Sequence, residues 1–376
     1  MKVMIVVTHL LGTGHLARAL TLGRAFGAAG HKVTVVSGGA LVPHFETGGL
    51  DFVQLPVLRA NGTDFTTLLG SSGTPVSARY LEARQEKLLA TLNACAPDVI
   101  ITELFPFGRR ILRAEFRALL GAADARPVRP LILSSIRDIL APPSKPEKAV
   151  FADILVAQYY DGVLVHADAD LVRLERSWPV SDTLAPALHY TGFVAPPAPT
   201  ETGADTGLIL VSAGGGSVGM RMFEAAMDAA YLMADDRWLF LVGGDDDRRL
   251  QLAAKVPPHV RVEPPRPDFR TLLMGASASV SMCGYNTALD VLQTGVPSVF
   301  VPFDDGGEVE QGLRAEALAA LNGIRVLEQA RLSGPALAKA LEAVRGQSAR
   351  PARRVGMNGA GRTVEITEAL HARMRP

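Results

Sequence analysis

Only two cysteines, Cys95 and Cys283, occur in 376 residues. That is too few for a disulfide framework, and both stand in apolar or loop-edge contexts typical of a reduced compartment, so they read as free thiols. Net charge is missing as well: 38 Lys and Arg balance 38 Asp and Glu, leaving no global field to recruit nucleic acid. No apolar run reaches the ~18 residues needed to cross a bilayer. The opening MKVMIVVTHLLGTGH is apolar but breaks at Gly12 and Gly14 and has no small-residue cleavage site, which predicts a first strand rather than a signal peptide. The turn after that strand has G-x-G without a third glycine, and Ser37, Gly38 and Gly39 stand where a dinucleotide fold needs an acidic ribose-binder. These absences exclude a dehydrogenase. The glycine-rich stretch after residue 212 is not followed by a Lys-Ser/Thr pair, which excludes a Walker A loop.

What is present is a repeated strand-turn-helix rhythm in a chain long enough for two α/β domains. Strands are expected at 2–7, 32–36, 52–55, 99–102, 131–133 and 162–165, and helices from the turn at Gly14 to Gly30 and at 78–92, 109–120 and 150–158. Residues 58–76, rich in Gly, Thr and Ser, show no periodicity and read as a long functional or mobile loop. VAPPAPTETGADTG, 194–207, is the clearest linker. The rhythm then restarts, with strands at 208–212, 238–242, 260–263, 278–282 and 297–301 and helices at 220–233, 246–254 and 337–344, and helical spacing returns at 364–374. Such alternation implies parallel sheets, whose ligands bind at the carboxyl ends of the strands.

The stretch SMCGYNTALDVLQTGVPSVFVPFDDGGEVEQGLRAEAL, 281–318, holds two of those ends. Gly284 permits a sharp turn into a helix that Asn286 is expected to cap and Gly295 to end. A helix N-terminus behind a glycine turn suits phosphate. Asp290, one turn past Asn286, suits a vicinal diol such as ribose, and Gln311 could donate from the next loop-helix. Phosphate plus ribose means a nucleotide, although the same residues would equally cap and solvate a surface helix. A second phosphate cradle is offered by Gly214, Gly215, Gly216 and Ser217 between a strand and a helix; a tight turn that needs glycine for packing would look the same.

GYNTALD…GVPSVFVPF…EQ resembles the nucleotide-sugar site of GT-B glycosyltransferases, family 28 and its MurG-like C-terminal domain in particular. The resemblance implies an α/β chain of two Rossmann-like parallel-sheet domains facing a central cleft. Its divisions would be an acceptor domain at 1–193, the linker at 194–207, a nucleotide-sugar domain at 208–355 and a helix at 356–376 that packs back toward the first domain. It places Gly284, Thr287 and Asp290 on the turn, threonine and acidic positions that hold the nucleotide, with Asp290 one methylene shorter than the usual Glu. It also gives Gln311 a contact to donor sugar or ribose, the Gly214 loop the diphosphate, and Arg266 in EPPRPDF a contact to the base.

His15, in GTGH at a helix start, would be neutral near pH 7 because a helix N-terminus lowers imidazole pKa, and it is the candidate base. Its loop resembles the family's acceptor loop. His9 is the rival, Glu103 at a strand end could orient a histidine or bind an acceptor hydroxyl, and capping or core filling is the plain alternative for both histidines. Gly14, Arg109, Arg110 and Arg113, the arginines interleaved with Phe105, Phe107 and Phe116, are read as acceptor or membrane contacts; an ordinary amphipathic helix reads the same way. The run Asp245, Asp246, Asp247 reads as helix-capping charge, not a metal motif.

The expectation is a metal-independent, His-assisted hexosyltransferase without a cofactor. It would use a UDP-sugar such as UDP-GlcNAc and an acceptor that is lipid-linked or a polysaccharide, in the cytoplasm or peripheral at the inner face of a membrane. A nucleotide-sugar hydrolase or epimerase on the same fold, or a non-catalytic nucleotide-sugar-binding subunit, are the alternatives. Product analysis separates the first two from a transferase; nucleotide binding without turnover marks the third.

Overall fold

The computed structural model describes residues 1–10, 13–42, 45–61, 64–199, 206–214, 218–305, 308–348, 350–353 and 356–374. The chain forms two compact units, Met1–Val194 with Asn358–Pro376, and Ala195–Met357.

In the first unit the elements are β1 (Lys2–Val7), α1 (Gly14–Ala28), β2 (Lys32–Ser37), β3 (Asp51–Gln54), β4 (Arg59–Asn61), β5 (Asp64–Leu69), α2 (Ala78–Cys95), β6 (Val99–Glu103), α3 (Arg113–Asp124), β7 (Leu131–Arg137), α4 (Glu147–Tyr159), β8 (Gly162–His166) and β9 (Leu188–Tyr190). Seven strands form one parallel sheet in the order β3-β2-β1-β6-β7-β8-β9. KVMIVV and VIITE are buried along almost their whole length, as parallel strands covered on both faces must be. The strand order reverses direction between β1 and β6, so the loops leaving these two strands open a crevice at the carboxyl edge.

Two features correct the sequence reading. The aperiodic stretch 58–76 holds an antiparallel hairpin, β4 with β5, whose three-residue first strand is too short to carry a period-2 signal. The helix expected over 109–120 is broken: Arg109 takes a left-handed φ of 57°, a 3-10 turn spans Arg110–Leu112, and only then does α3 begin.

Behind the crevice Arg84 of α2 is fully buried. Its guanidinium donates to Glu115 of α3 (Nε to Oε2 2.6 Å, Nη2 to Oε1 3.2 Å), to Thr8 Oγ1 at 2.8 Å and to the Gly38 carbonyl at 2.9 Å, and Nη1 also reaches the Pro56 carbonyl. One side chain thus ties the loops after β1, β2 and β3 to two helices. Glycine is required at 38 because a Cβ there would lie 1.9 Å from Arg84 Nη2.

The second unit runs β10 (Leu208–Ser212), α5 (Met220–Leu232), β11 (Arg237–Leu241), α6 (Asp246–Ala253), β12 (Val260–Glu263), α7 (Phe269–Met274), β13 (Ala276–Ser281), α8 (Tyr285–Thr294), β14 (Ser298–Phe300), α9 (Glu310–Leu318), β15 (Ile324–Val326) and α10 (Gly334–Arg345). Its six-stranded parallel sheet has the order β12-β11-β10-β13-β14-β15, and here the reversal falls between β10 and β13. The short α7 and β15 went unforeseen. The last helix, α11 (Gly359–Met374), belongs to the first unit, where Val364, Ile366 and Leu370 join the core that includes Leu16, Leu20 and Phe26 of α1.

Candidate functional site

In the second unit the loop after β10 and the turn after β13 flank the topological switch point. Gly214 has φ +82° and Gly219 has φ +80°, conformations that favour glycine. A Cβ on Gly219 would come 3.2 Å from Met282 Sδ, which shows how closely this loop approaches the Gly284 turn. Gly215, Gly216 and Ser217 lie outside the described residues. α8 is capped by Gly284, which offers no side chain to its first N–H groups. The expected cap, Asn286, is instead exposed within the first turn, beside the half-buried Thr287. The turn is braced from below: buried Arg314 of α9 donates to the Cys283 carbonyl at 2.9 Å and lies 5.8 Å from the centre of the Tyr285 ring.

Asp290 faces Arg270 of α7, with Nε 3.0 Å from Oδ1 in an ion pair that lacks hydrogen-bond alignment. Burial pushes the Asp290 pKa up to about 6, and Arg270 only partly offsets this. Arg270 also donates to the Pro197 carbonyl at 2.7 Å and to Gln293. Gln311 folds inward and accepts from the Phe303 N–H at 3.2 Å. Arg266 is held by Asp268 (2.6 and 2.8 Å) and Glu263 (3.0 Å).

In the first unit the switch point brings His15, in the first turn of α1, to Glu103 at the end of β6, with Nδ1 2.9 Å from Oε1. Arg18, one turn further along α1, pairs with the same oxygen. Ser135 Oγ donates to Glu103 Oε2 at 2.7 Å. Burial would raise the Glu103 pKa, but Arg18 and His15 hold it well below the usual carboxylate range. His15 Nδ1 also lies 3.1 Å from Arg18 Nη2; because that group already donates to Oε1 and an ionised carboxylate only accepts, the Nδ1–H tautomer is the one that satisfies the carboxylate, and it leaves Nε2 as the basic nitrogen. The His15 pKa falls to about 4: burial is the main cause, Arg18 and Arg109 add to it, and Glu103 opposes it. The imidazole is neutral at pH 7, with burial and the neighbouring guanidinium groups of Arg18 and Arg109 holding its pKa down. His9 is 5% exposed and packs on Gly39, where a Cβ would lie 2.4 Å from its ring, so it faces the interior.

Residues 210–368 match the glycosyltransferase family 28 C-terminal domain. The matched stretch covers most of the second unit and runs on into α11. A curated relative from Brucella anthropi, UDP-N-acetylglucosamine--N-acetylmuramyl-(pentapeptide) pyrophosphoryl-undecaprenol N-acetylglucosamine transferase, is 30% identical over 174 residues, 42% of this chain and 46% of that protein. The chain therefore spans about half the length of the curated relative it matches. Among solved structures, the calicheamicin glycosyltransferase CalG4 superposes with a TM-score of 0.64 at 18% identity, covering 100% of this chain and 99% of its own. MurG of Acinetobacter baumannii gives 0.62 at 12% identity, covering 100% of this chain and 99% of its own. The fold is GT-B, two Rossmann-like α/β units.

Within the matched stretch, Asp245 caps α6 by accepting from the Arg248 N–H at 3.0 Å, and among the described residues no group of three or more His, Cys, Asp or Glu could hold a metal ion. The arginines of 109–113 do not share one face. Arg109 turns inward to donate to the Thr8 carbonyl at 2.7 Å, and Arg110 to the Phe107 carbonyl at 2.5 Å, while Arg113 is exposed. Phe105 and Phe116 stack at 4.5 Å in the core and Phe107 meets Trp178 at 5.2 Å, so these rings are unavailable to a membrane. Gly14 opens α1, and among the described residues a Cβ added there would meet nothing within 4 Å. Among the described residues no helix is long and apolar enough to cross a membrane. Neither Cys95 nor Cys283 is in a disulfide.

Reading the sequence missed Arg18, Ser135, His166, Arg270 and Arg314. A usable signal existed for two: Ser135 and His166 are polar residues at the carboxyl ends of strands that had been ended at 133 and 165. Nothing in the local pattern marks Arg270 or Arg314, because their partners lie 20 and 31 residues away.

Proposed function

We propose that this protein is a glycosyltransferase that moves a hexosyl group from a nucleotide-sugar, a UDP-sugar in the first instance, to an acceptor hydroxyl. The observation that carries the reading is the family 28 match over a switch point where glycine turns meet a helix whose first N–H groups have no side-chain cap. Such groups stabilise a leaving diphosphate by fixed partial charge. The second unit is assigned the donor and the first unit the acceptor and base. Gly14, next to His15 in the chain, and Arg109, whose charge acts on both His15 and Glu103, are assigned to the acceptor. The Brucella relative's name gives a pyrophosphoryl-undecaprenol acceptor, and a lipid-linked acceptor is the first to be tried here.

Asp290→Ala should weaken UDP binding by roughly 1.5–3 kcal/mol, the loss expected when hydrogen bonds to an ionised acceptor disappear. Calorimetry on the folded variant decides it; unchanged affinity removes Asp290 from the nucleotide site. The pH dependence has a definite sign. A carboxylate that must accept from a diol is ionised above its pKa, so affinity for a nucleotide-sugar should rise with pH through about 6 and level off. The donor's diphosphate diester does not titrate in that window, and Asp290→Asn should flatten the profile.

Turnover is expected to survive EDTA, because leaving-group stabilisation is assigned to helix ends and backbone N–H groups. Loss of activity restored by Mg²⁺ or Mn²⁺ would overturn this assignment. Release of free sugar alone, with every acceptor offered, would replace the transferase reading by hydrolysis.

A further inference from the structure

The His15–Glu103 pair does not end at Glu103. Ser135 Oγ, on β7, lies 2.7 Å from Glu103 Oε2 and 2.9 Å from His166 Nε2 on β8, and His166 Nδ1 lies 2.9 Å from Thr191 Oγ1 just after β9. Ser135 and His166 are fully buried and Thr191 is 4% exposed. The chain therefore crosses the sheet along the carboxyl ends of four neighbouring elements, in the order β6, β7, β8, β9. Direction follows from the chemistry of the groups. Glu103 can only accept, so the single Ser135 proton is committed to Oε2, and the Ser135 lone pair receives the His166 Nε2–H. A buried imidazole is costly unless it is hydrogen-bonded, and here Nε2–H faces Ser135 while Nδ1 faces the Thr191 hydroxyl, which also has the Gly192 carbonyl at 2.7 Å.

We propose that Ser135 and His166 are positioning residues: they pin the second oxygen of Glu103 and so set both the orientation of His15 and how strongly it binds its proton. The proposal rests on the reading of His15 as base, but its consequence for the histidine itself does not need turnover. Oε1 is shared by His15 and Arg18, and Oε2 is held by Ser135. With the Ser135 hydrogen bond present, part of the carboxylate's charge is already satisfied, and Glu103 supports a His15 imidazolium less. Removing it returns that capacity to His15. The charged groups facing His15 are Glu103 from β6, Arg18 from its own helix and Arg109 from the loop after β6. Those facing His166 are Arg18 and Glu103. None of these is altered by a change at Ser135.

The experiment is a histidine titration of the whole chain by NMR with ¹³C-labelled imidazoles, the His15 signal being assigned from its absence in His15→Gln. In Ser135→Ala the His15 pKa should rise by about one unit from its low native value, the scale of one hydrogen bond to a charged group. Ser135→Thr, which keeps the hydroxyl, should restore the native titration. His166→Gln, which keeps an N–H toward Ser135, should shift it less than His166→Leu. A change in core packing alone would not follow the hydroxyl in this way. An unshifted His15 titration in folded Ser135→Ala overturns the proposal. Should that variant fail to fold, Ser135→Cys, whose thiol is a weak donor, should give a smaller upward shift, and no shift there overturns it as well. Single-turnover transfer is measured alongside: a His15 shift in a protein that transfers no sugar keeps the relay and removes the transferase reading, whereas transfer without the shift does the reverse.

Discussion

His15→Ala is expected to lower single-turnover transfer by about 10²–10⁴-fold, the usual contribution of a general base, while nucleotide affinity stays near that of the unaltered protein. The expectation comes from geometry: His15 Nδ1 is committed to Glu103 at 2.9 Å, so Nε2 is the nitrogen left to accept a proton. The pH profile supplies the sign. A base works in its deprotonated form, so kcat/KM should rise as pH passes the free-protein value of about 4 and then hold level through neutrality. Glu103→Gln should lose most of the same factor, since an amide can present its N–H to Nδ1 and favour the wrong tautomer. Full transfer by His15→Ala together with loss in His9→Ala would show that the other histidine is the base, contrary to its 5% exposure and packing on Gly39.

Arg84→Met should cost about 3–5 kcal/mol of unfolding free energy, the range for breaking one partner out of a buried ion pair. The substitution leaves Glu115 buried beside a thioether and takes donors from Thr8 Oγ1 and the carbonyls of Gly38 and Pro56. Chemical denaturation measures the loss. Arg84→Met combined with Glu115→Leu should recover a large part of it, because the uncompensated charge is then gone and an apolar pair fills the site. If the double variant is no more stable than the single one, the cost lies in the loop carbonyls rather than in the stranded carboxylate. Either way the loops after β1, β2 and β3 should exchange amide protons faster than the sheet behind them, since Arg84 is the group they share.

Periodicity and turn chemistry were enough to recognise a parallel α/β chain, because strands covered on both faces must be apolar along nearly their whole length and glycine must stand where the backbone reverses. Lys2–Val7, Leu208–Ser212 and Val260–Glu263 begin and end where the pattern predicts. Short elements escaped for the converse reason. Arg59–Asn61, Leu188–Tyr190 and Ile324–Val326 have three residues each, too few for any period to show. The arginine-aromatic stretch after β6 was misread because its composition fits an amphipathic helix equally well, whereas the left-handed turn at Arg109 and the stacking of Phe105 on Phe116 are set by the core around them.

By itself, then, the sequence determined the strand-helix alternation, the glycine turns at Gly214 and Gly284, and the placing of His15, Glu103 and Asp290 at carboxyl ends of strands, all of which depend on neighbours within a few residues. Tertiary structure alone decided which of these ends meet. His15 and Glu103 are 88 residues apart in the chain and touch only because the sheet order reverses between β1 and β6. Arg270 finds Asp290 because α7 packs on α8, and Arg314 braces the Gly284 turn from α9. The protonation of these groups was likewise beyond local reading, because burial and the charges brought in by other elements, not residue type, pull His15 down to about 4 and push Asp290 up to about 6.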